Sequence, residues 1–193
     1  MKRPELWLCW LSVCVLGALL AGCQDVGTTL PVDNPPTATA LPAPTPPAGV
    51  LVTVVVPEDD IKAGDTVDIA VEIHRVEDLT GAEIHLAFGP EWLAFEDADP
   101  GEEGVQVVHG ELLSPDFVAV NRGDNAQGQL SYAIAQMPPH PPVAGDGVLF
   151  STRMTALKSG TAELRVTAAI LADAKGQQIP VTVVNPVVTL HIQ

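Results

Sequence analysis

Short runs in which apolar and polar residues alternate dominate the chain after Gly49. Successive side chains of a β-strand point to opposite faces, so a period of two with one polar side indicates strands that are buried on one face and solvated on the other. Gly, Pro, Asp and Asn separate these runs, and no helical period is present. The pattern predicts an all-β domain of about nine strands, which is typical of a β-sandwich. The runs are residues 51–56, 66–76, 82–88, 92–95, 105–108, 117–120, 129–135, 147–157, 161–171 and 181–192.

The chain before Gly49 has a different pattern. Residues 6–20 form a continuous apolar run behind a positively charged amino terminus, and residues 24–49 are rich in Pro and Thr without any periodic apolar positions. Prolines favour extended polyproline II, in which each residue spans about 3.1 Å. Residues 24–49 are therefore predicted to be an extended tether that reaches on the order of 60–80 Å.

The apolar run closes on Leu20-Ala21-Gly22-Cys23. This motif resembles the lipobox of bacterial lipoprotein signal peptides, in which the cysteine becomes the acylated first residue of the mature protein. The alternatives are a transmembrane anchor and an ordinary secretory signal, but the run is shorter than the roughly twenty residues that span a bilayer. The resemblance implies a signal peptide over residues 1–22, a lipidated Cys23 at the start of the linker 23–49, and an extracytoplasmic protein anchored to the cell membrane by its lipid.

Charge and cysteine content argue against a nucleic-acid partner and against stabilisation by disulfides. The chain carries 24 acidic and 9 basic residues, a formal net charge of −15. Such a field repels nucleic acid, which argues against a nucleic-acid partner. Cys9 and Cys14 lie in the predicted signal peptide, so no disulfide can form among the residues that follow Cys23. Residues 50–193 must therefore be stabilised by their hydrophobic core, and they are expected to form one domain.

Several short motifs follow one another along residues 50–193. They are Gly64-Asp65-Thr66, residues 79–88 followed by Gly89-Pro90, Trp92-Leu93-Ala94-Phe95, Gly147-Val148-Leu149-Phe150, Ser159-Gly160-Thr161, residues 171–176 and Val187-Val188-Thr189-Leu190. In this order they resemble a cohesin domain, the module whose best-known members bind dockerin modules in cellulosomes. The family commonly has an aromatic-Asp-Pro motif where this chain has Phe88-Gly89-Pro90.

The resemblance implies a nine-stranded β-sandwich of jelly-roll topology, cohesin-like over residues 50–193. It also implies that a dockerin docks on one sheet face that includes the third, fifth and sixth strands. On that face we expect Glu83 and His85 of the third strand and Gln129 and Ser131 of the sixth to contact the partner, joined by Asn121 from the loop before the sixth strand. The alternative for each residue is a solvated strand face without a partner.

The sequence carries no pattern of catalytic or metal-binding residues. Its five histidines are scattered, and neither a nucleophile elbow nor a phosphate-binding loop is present, so we expect no enzyme activity, no metal site and no cofactor. The carboxylates of residues 96–103 are chemically suited to Ca²⁺, but their spacing fails the EF-hand pattern, which favours a solvated acidic loop.

The leading functional hypothesis is a lipid-anchored cohesin-type module that attaches dockerin-bearing proteins, such as polysaccharide-degrading enzymes, to the cell surface. The alternative is a carbohydrate-binding surface lipoprotein that uses the same sandwich to bind polysaccharide. The domain has few aromatic residues, and most of them fall at inward positions. Too few rings are therefore left to form an exposed platform on which a sugar could stack. A third hypothesis is a domain that keeps the cohesin fold but packs within an envelope complex.

Overall fold

All regular secondary structure in the described part of the chain is β-strand. The computed structural model describes residues 48–57 and 60–193, and these residues belong to one compact unit. The predicted signal peptide, Cys23 and the predicted linker up to residue 47 lie outside the described residues. Within them, no helix is long and apolar enough to cross a membrane. The all-β prediction for residues 50–193 is confirmed.

Eleven strands follow one another along the described residues. They are β1 (Val50–Val55), β2 (Thr66–Phe88), β3 (Leu93–Phe95), β4 (Val108–His109), β5 (Phe117–Asp124), β6 (Gln129–Ala135), β7 (Val143–Ala156), β8 (Gly160–Asp173), β9 (Gln178–Ile179), β10 (Val181–Val184) and β11 (Val187–Ile192).

The strands form two layers of a β-sandwich that share the 23-residue strand β2. The first half of β2 pairs with β1 and β7, and β10 and the short β3 and β4 extend this first layer. The second half of β2 pairs with β6 and β8. β5 extends the second layer beyond β6, and β9 and β11 extend it beyond β8.

Two residues with positive φ turn β2 from one layer into the other. Arg75 (φ 57°) and Asp78 (φ 60°) adopt a conformation that residues with a Cβ seldom occupy, and the register with β7 shifts around them. The backbone N–H of Arg75 donates to Asp146 Oδ1 at 2.5 Å. Val76 and Leu79 remain buried through the bend, so the core is continuous across it. The sequence predicted two strands here because the alternation is interrupted at the bend.

The core lies between the two layers. Phe150 of β7 contacts Tyr132 of β6 with 4.6 Å between ring centroids, and Phe88 of β2 contacts Phe95 of β3 at 4.8 Å in an edge-to-face arrangement. Such ring pairs contribute about 0.5–1.5 kcal/mol beyond the area that they bury. The inward positions of the alternating runs in residues 66–76 and 82–88 are buried as predicted.

The closing run of residues 181–192 is two strands rather than one. β10 pairs in parallel with β1 in the first layer, whereas β11 pairs antiparallel with β8 in the second. Asn185 has a φ of 49°, and Pro186 has no N–H to donate, so the chain changes layers at this point. Together with the short β9, this split gives eleven strands where the resemblance implied nine.

Candidate functional site

The candidate site is the solvent-facing side of the second layer, called the outer face below. Ile84, Leu86 and Phe88 point into the core, so the alternate residues Glu83 and His85 point outward. The register with β5, β6 and β8 identifies the outward residues of the neighbouring strands. The outer face consists of Gly81, Glu83, His85, Ala87, Phe117, Val120, Arg122, Asp124, Gln129, Ser131, Ala133, Ala135, Glu163, Arg165, Ala168, Ile170 and Ala172.

Three of the predicted partner-binding residues form one hydrogen-bonded cluster on this face. His85 Nε2 lies 2.7 Å from Glu83 Oε1, and His85 Nδ1 lies 3.0 Å from Ser131 Oγ. His85 and Ser131 are opposite each other in the pairing of β2 with β6, which brings the two side chains together. Both ring nitrogens of His85 are therefore engaged within the chain, and contact of this residue with a protein partner stays a prediction.

The cluster combines the residue types of a nucleophilic triad, a serine, a histidine and a carboxylate. Such a triad needs backbone or side-chain N–H donors placed to hold the oxyanion that forms on attack. β2 is flanked by paired strands on both sides over Glu83 and His85, and Ser131 lies on β6, which pairs with β2 and β5. The backbone N–H groups around the serine belong to these ladders.

The remaining two predicted residues have different positions. Gln129 is exposed on β6, opposite Ala87, and it belongs to the outer face as expected. Asn121 lies within β5 rather than in a loop, so this placement was wrong. Its side chain accepts from the backbone N–H of Val107 and donates to the Val107 carbonyl, both at 2.9 Å. Asn121 thus substitutes for a strand pairing and holds the segment before β4 against β5.

A small apolar pocket, called the Ala/Gly pocket below, occupies the opposite end of the outer face from Gln129. It has a volume of about 200 Å³, and its large lining side chains are Phe117 and Ile170, which are 56% and 42% exposed. Its floor is made of small residues on three neighbouring strands, namely Gly81, Ala133, Ala135 and Ala172. Local sequence pattern does not predict this pocket. The alanines at positions 133 and 135 were the available signal, because they lie on the side of β6 where the alternation predicts polar residues.

The outer face is close to neutral although the whole chain is strongly acidic. Glu83, Asp124 and Glu163 are its carboxylates, and Arg122 and Arg165 are its cations. Arg122 lies opposite Ser131, and Arg165 Nη2 lies 3.1 Å from Glu163 Oε2. With a net charge of −15 on the protein, most of the excess negative charge therefore lies elsewhere. A partner without strong positive charge can approach this face.

Within the acidic segment of residues 96–103, Asp97 and Asp99 hold the backbone of their own loop. Asp97 Oδ1 accepts from the N–H groups of Asp99 at 3.1 Å and Gln106 at 3.0 Å, and Asp99 Oδ1 accepts from Gly101 at 3.0 Å. Across residues 48–57 and 60–193, no three His, Cys, Asp or Glu side chains are placed to hold a metal ion together.

Tyr132 is buried in the core, and Trp92 is partly covered by neighbouring residues. Burial raises the pKa of Tyr132 above its ordinary value of 10.0, and its hydroxyl lies 2.7 Å from His109 Nδ1. Trp92 is half-buried, Lys158 Nζ lies 3.9 Å from the centroid of its ring, and a Cβ at Gly160 would clash with the same ring. Neither ring forms an open platform on which a sugar could stack.

The fold is similar to solved structures of cohesin domains. A type II cohesin domain from the cellulosome of Acetivibrio cellulolyticus aligns with a TM-score of 0.62 at 16% identity, covering 73% of this chain and 95% of that chain. An interface mutant of the type II cohesin–X–dockerin complex from the same organism gives 0.62 at 14% identity, with 75% and 99% covered. A non-cellulosomal cohesin from the archaeon Archaeoglobus fulgidus gives 0.57 at 17% identity, with 76% and 92% covered.

No protein-family model and no curated protein matches the sequence. At 14–17% identity, the structural similarity shows a shared fold. The chain is therefore an all-β sandwich with the cohesin fold.

Proposed function

We propose that this protein is a non-catalytic adaptor that binds a dockerin-bearing protein on the outer face and holds it at the cell surface. The fold supports the proposal, because it is shared with cohesin domains and one of the similar structures is a cohesin–X–dockerin complex. The proposed partners include enzymes that degrade polysaccharides, so the adaptor itself needs no catalytic group.

The observation that carries the proposal is the composition of the outer face. A hydrogen-bonded polar cluster around His85 and a pocket lined by Phe117 and Ile170 share one nearly neutral surface. Protein interfaces combine apolar anchors with polar groups that fix the orientation of the partner. A surface that only faces solvent has no need for exposed Phe and Ile side chains above a floor of small residues.

Membrane attachment is the second part of the proposal. The proposed anchor is the lipid on Cys23, which follows the apolar run of residues 6–20. A diacylglycerol thioether with an amide-linked acyl chain would supply the two hydrophobic signals that stable anchoring requires. The Pro- and Thr-rich segment that follows would then place the domain away from the membrane, where a large partner can reach the outer face.

Calorimetry of the soluble domain tests this function. The domain is titrated with calcium-loaded dockerin modules encoded in the same genome and, separately, with cellulose, xylan and cell-wall glycans. We expect micromolar or tighter binding to at least one dockerin and none to the glycans. Glycan binding of that strength, without binding to any dockerin, would replace the proposal with the carbohydrate-binding alternative.

A further inference from the structure

The Ala/Gly pocket is a feature that a solvated strand face does not require. Its floor residues Gly81, Ala133 and Ala135 lie on the adjacent strands β2 and β6, and Ala172 closes it on β8. Gly81 is opposite both Ala135 and Ala172 in the two registers, so three small residues stand side by side across the sheet. Because the side chains on these three neighbouring strands are small, they leave a depression with a volume of about 200 Å³.

The two large side chains beside this floor expose apolar surface to solvent. Phe117 and Ile170 lie on β5 and β8, on opposite sides of the pocket, and both keep a large exposed fraction. Removing apolar surface from water is favourable by roughly 25 cal/mol per Å², so an apolar group seated between them would gain free energy from contact with both side chains. Exposed apolar patches rimmed by polar residues mark interaction sites in soluble proteins.

We propose that the Ala/Gly pocket is the anchor subsite of the outer face and receives one uncharged aliphatic or aromatic side chain of a protein partner. This inference rests on the proposed docking function and specifies the chemistry of its partner. Gly81 and His85 are four residues apart on β2, which corresponds to about 13 Å along a strand. The partner therefore carries its apolar anchor about 13 Å from a hydrogen-bonding group that meets the His85 cluster.

Charge and lining chemistry select this occupant over others. Glu83 is the charged residue that lines the pocket, and the rest of the lining is apolar or backbone. A sugar would leave its hydroxyl groups without partners on such a lining, which is costly. A second copy of this chain would bring two proteins of net charge −15 together. A neutral apolar side chain on a different protein avoids both penalties.

The first test fills the pocket. A Cβ added at Gly81 would meet only ordinary contacts, 3.6 Å from Ala172 Cβ and 3.6 Å from the Ile134 carbonyl oxygen. Gly81→Val should therefore fold and occupy the anchor subsite with its own side chain. We expect it to weaken the binding of a responsive dockerin by tenfold or more, whereas Leu157→Ser, which alters an exposed apolar residue outside the pocket, leaves binding within twofold. Unchanged binding by Gly81→Val overturns the inference and leaves the docking function standing.

The second test needs no dockerin. Amide shifts of the isotope-labelled unit that contains residues 48–193 are followed during titration with 3-methyl-1-butanol, an uncharged branched probe. We expect saturable shifts at Gly81, Ala133 and Ala172, which are lost in Gly81→Val and kept in Ala87→Val, a matched change on the same strand outside the pocket. The inference is overturned if the amide shifts are spread over all exposed residues. It is also overturned if the linker or a second copy of the chain already occupies the pocket. Either outcome holds even if no dockerin binds.

Discussion

Glu83 and His85 lie two residues apart on β2, and their side chains meet at 2.7 Å on the outer face. The same strand carries a second pair with the same spacing, Glu72 and His74, whose side chains meet at 3.4 Å in the first layer. The first layer is not the proposed docking surface. The fold thus supplies an internal control for any experiment on the Glu83–His85 pair.

Glu83→Lys should weaken dockerin binding by about 1–3 kcal/mol, because it removes a carboxylate that is held in place by His85 and that a partner would desolvate. Glu72→Lys makes the same charge change outside the outer face and should leave binding unchanged. Calorimetry measures both variants, and urea unfolding should show that each shifts stability by no more than about 0.5 kcal/mol. Equal losses of affinity in the two variants would place the docking surface elsewhere.

Tyr132→Phe should lower the free energy of unfolding by about 1 kcal/mol. The substitution keeps the ring that packs on Phe150 and removes only the hydroxyl that meets His109 Nδ1 at 2.7 Å. Urea unfolding of the wild type and the variant measures the difference. Phe150→Leu serves as the comparison, since it disturbs packing in a buried contact and should cost more. A Tyr132→Phe protein as stable as the wild type would show that the hydroxyl contributes nothing.

Tyr132 also predicts how stability depends on alkaline pH. Burial raises the pKa of this tyrosine above its ordinary value of 10.0, so the unfolded chain releases the phenol proton at lower pH than the folded chain does. Its contribution to stability is therefore complete below about pH 10 and is lost as the pH rises further. The chain has a single tyrosine, so phenolate absorbance reports this residue alone. Ionisation near pH 10 without unfolding would contradict the burial of the hydroxyl.

Asp116 predicts a loss of stability in acid. The backbone N–H of Met137 and the side chain of His140, both at 2.8 Å, hold the pKa of Asp116 below its ordinary value of 3.8. This stabilisation is present above pH 3.8 and is lost as the pH falls through the lower folded pKa. Asp116→Asn should remove that part of the acid dependence and speed amide exchange at Met137, whereas Glu111→Gln should not. Identical acid unfolding curves for wild type and Asp116→Asn would refute the prediction.

Cys23→Ser should release the protein from membranes or leave an uncleaved precursor, because serine cannot carry the thioether-linked lipid. Fractionation of expressing cells with detection of the domain in the soluble and membrane pools measures the outcome. A Cys9→Ser variant is the control, since Cys9 lies inside the predicted signal peptide and should not affect anchoring. Membrane retention of a fully processed Cys23→Ser protein would disprove the lipid anchor.

Residues 66–88 show how much of the fold the local sequence pattern predicts. Alternation of apolar residues identified both halves of β2 and assigned Ile84, Leu86 and Phe88 to the core, because the period of a strand depends on its own residues. It could not show that the halves are one strand, since the bend at Arg75 and Asp78 is set by pairing with β7. The same limit applies to Asn121, whose placement depends on Val107 rather than on its sequence neighbours.

The sequence by itself determined the all-β class, the sandwich and the outward positions of Glu83, His85, Gln129 and Ser131, because each follows from the periodicity of a strand or from the family resemblance. Only the tertiary structure decided that His85 bonds both Glu83 and Ser131, and that small residues of three strands meet beneath Phe117 and Ile170. The physical reason is the register between strands. Which side chains share a face follows from one strand, whereas which side chains touch across a sheet depends on pairings between residues far apart in the chain.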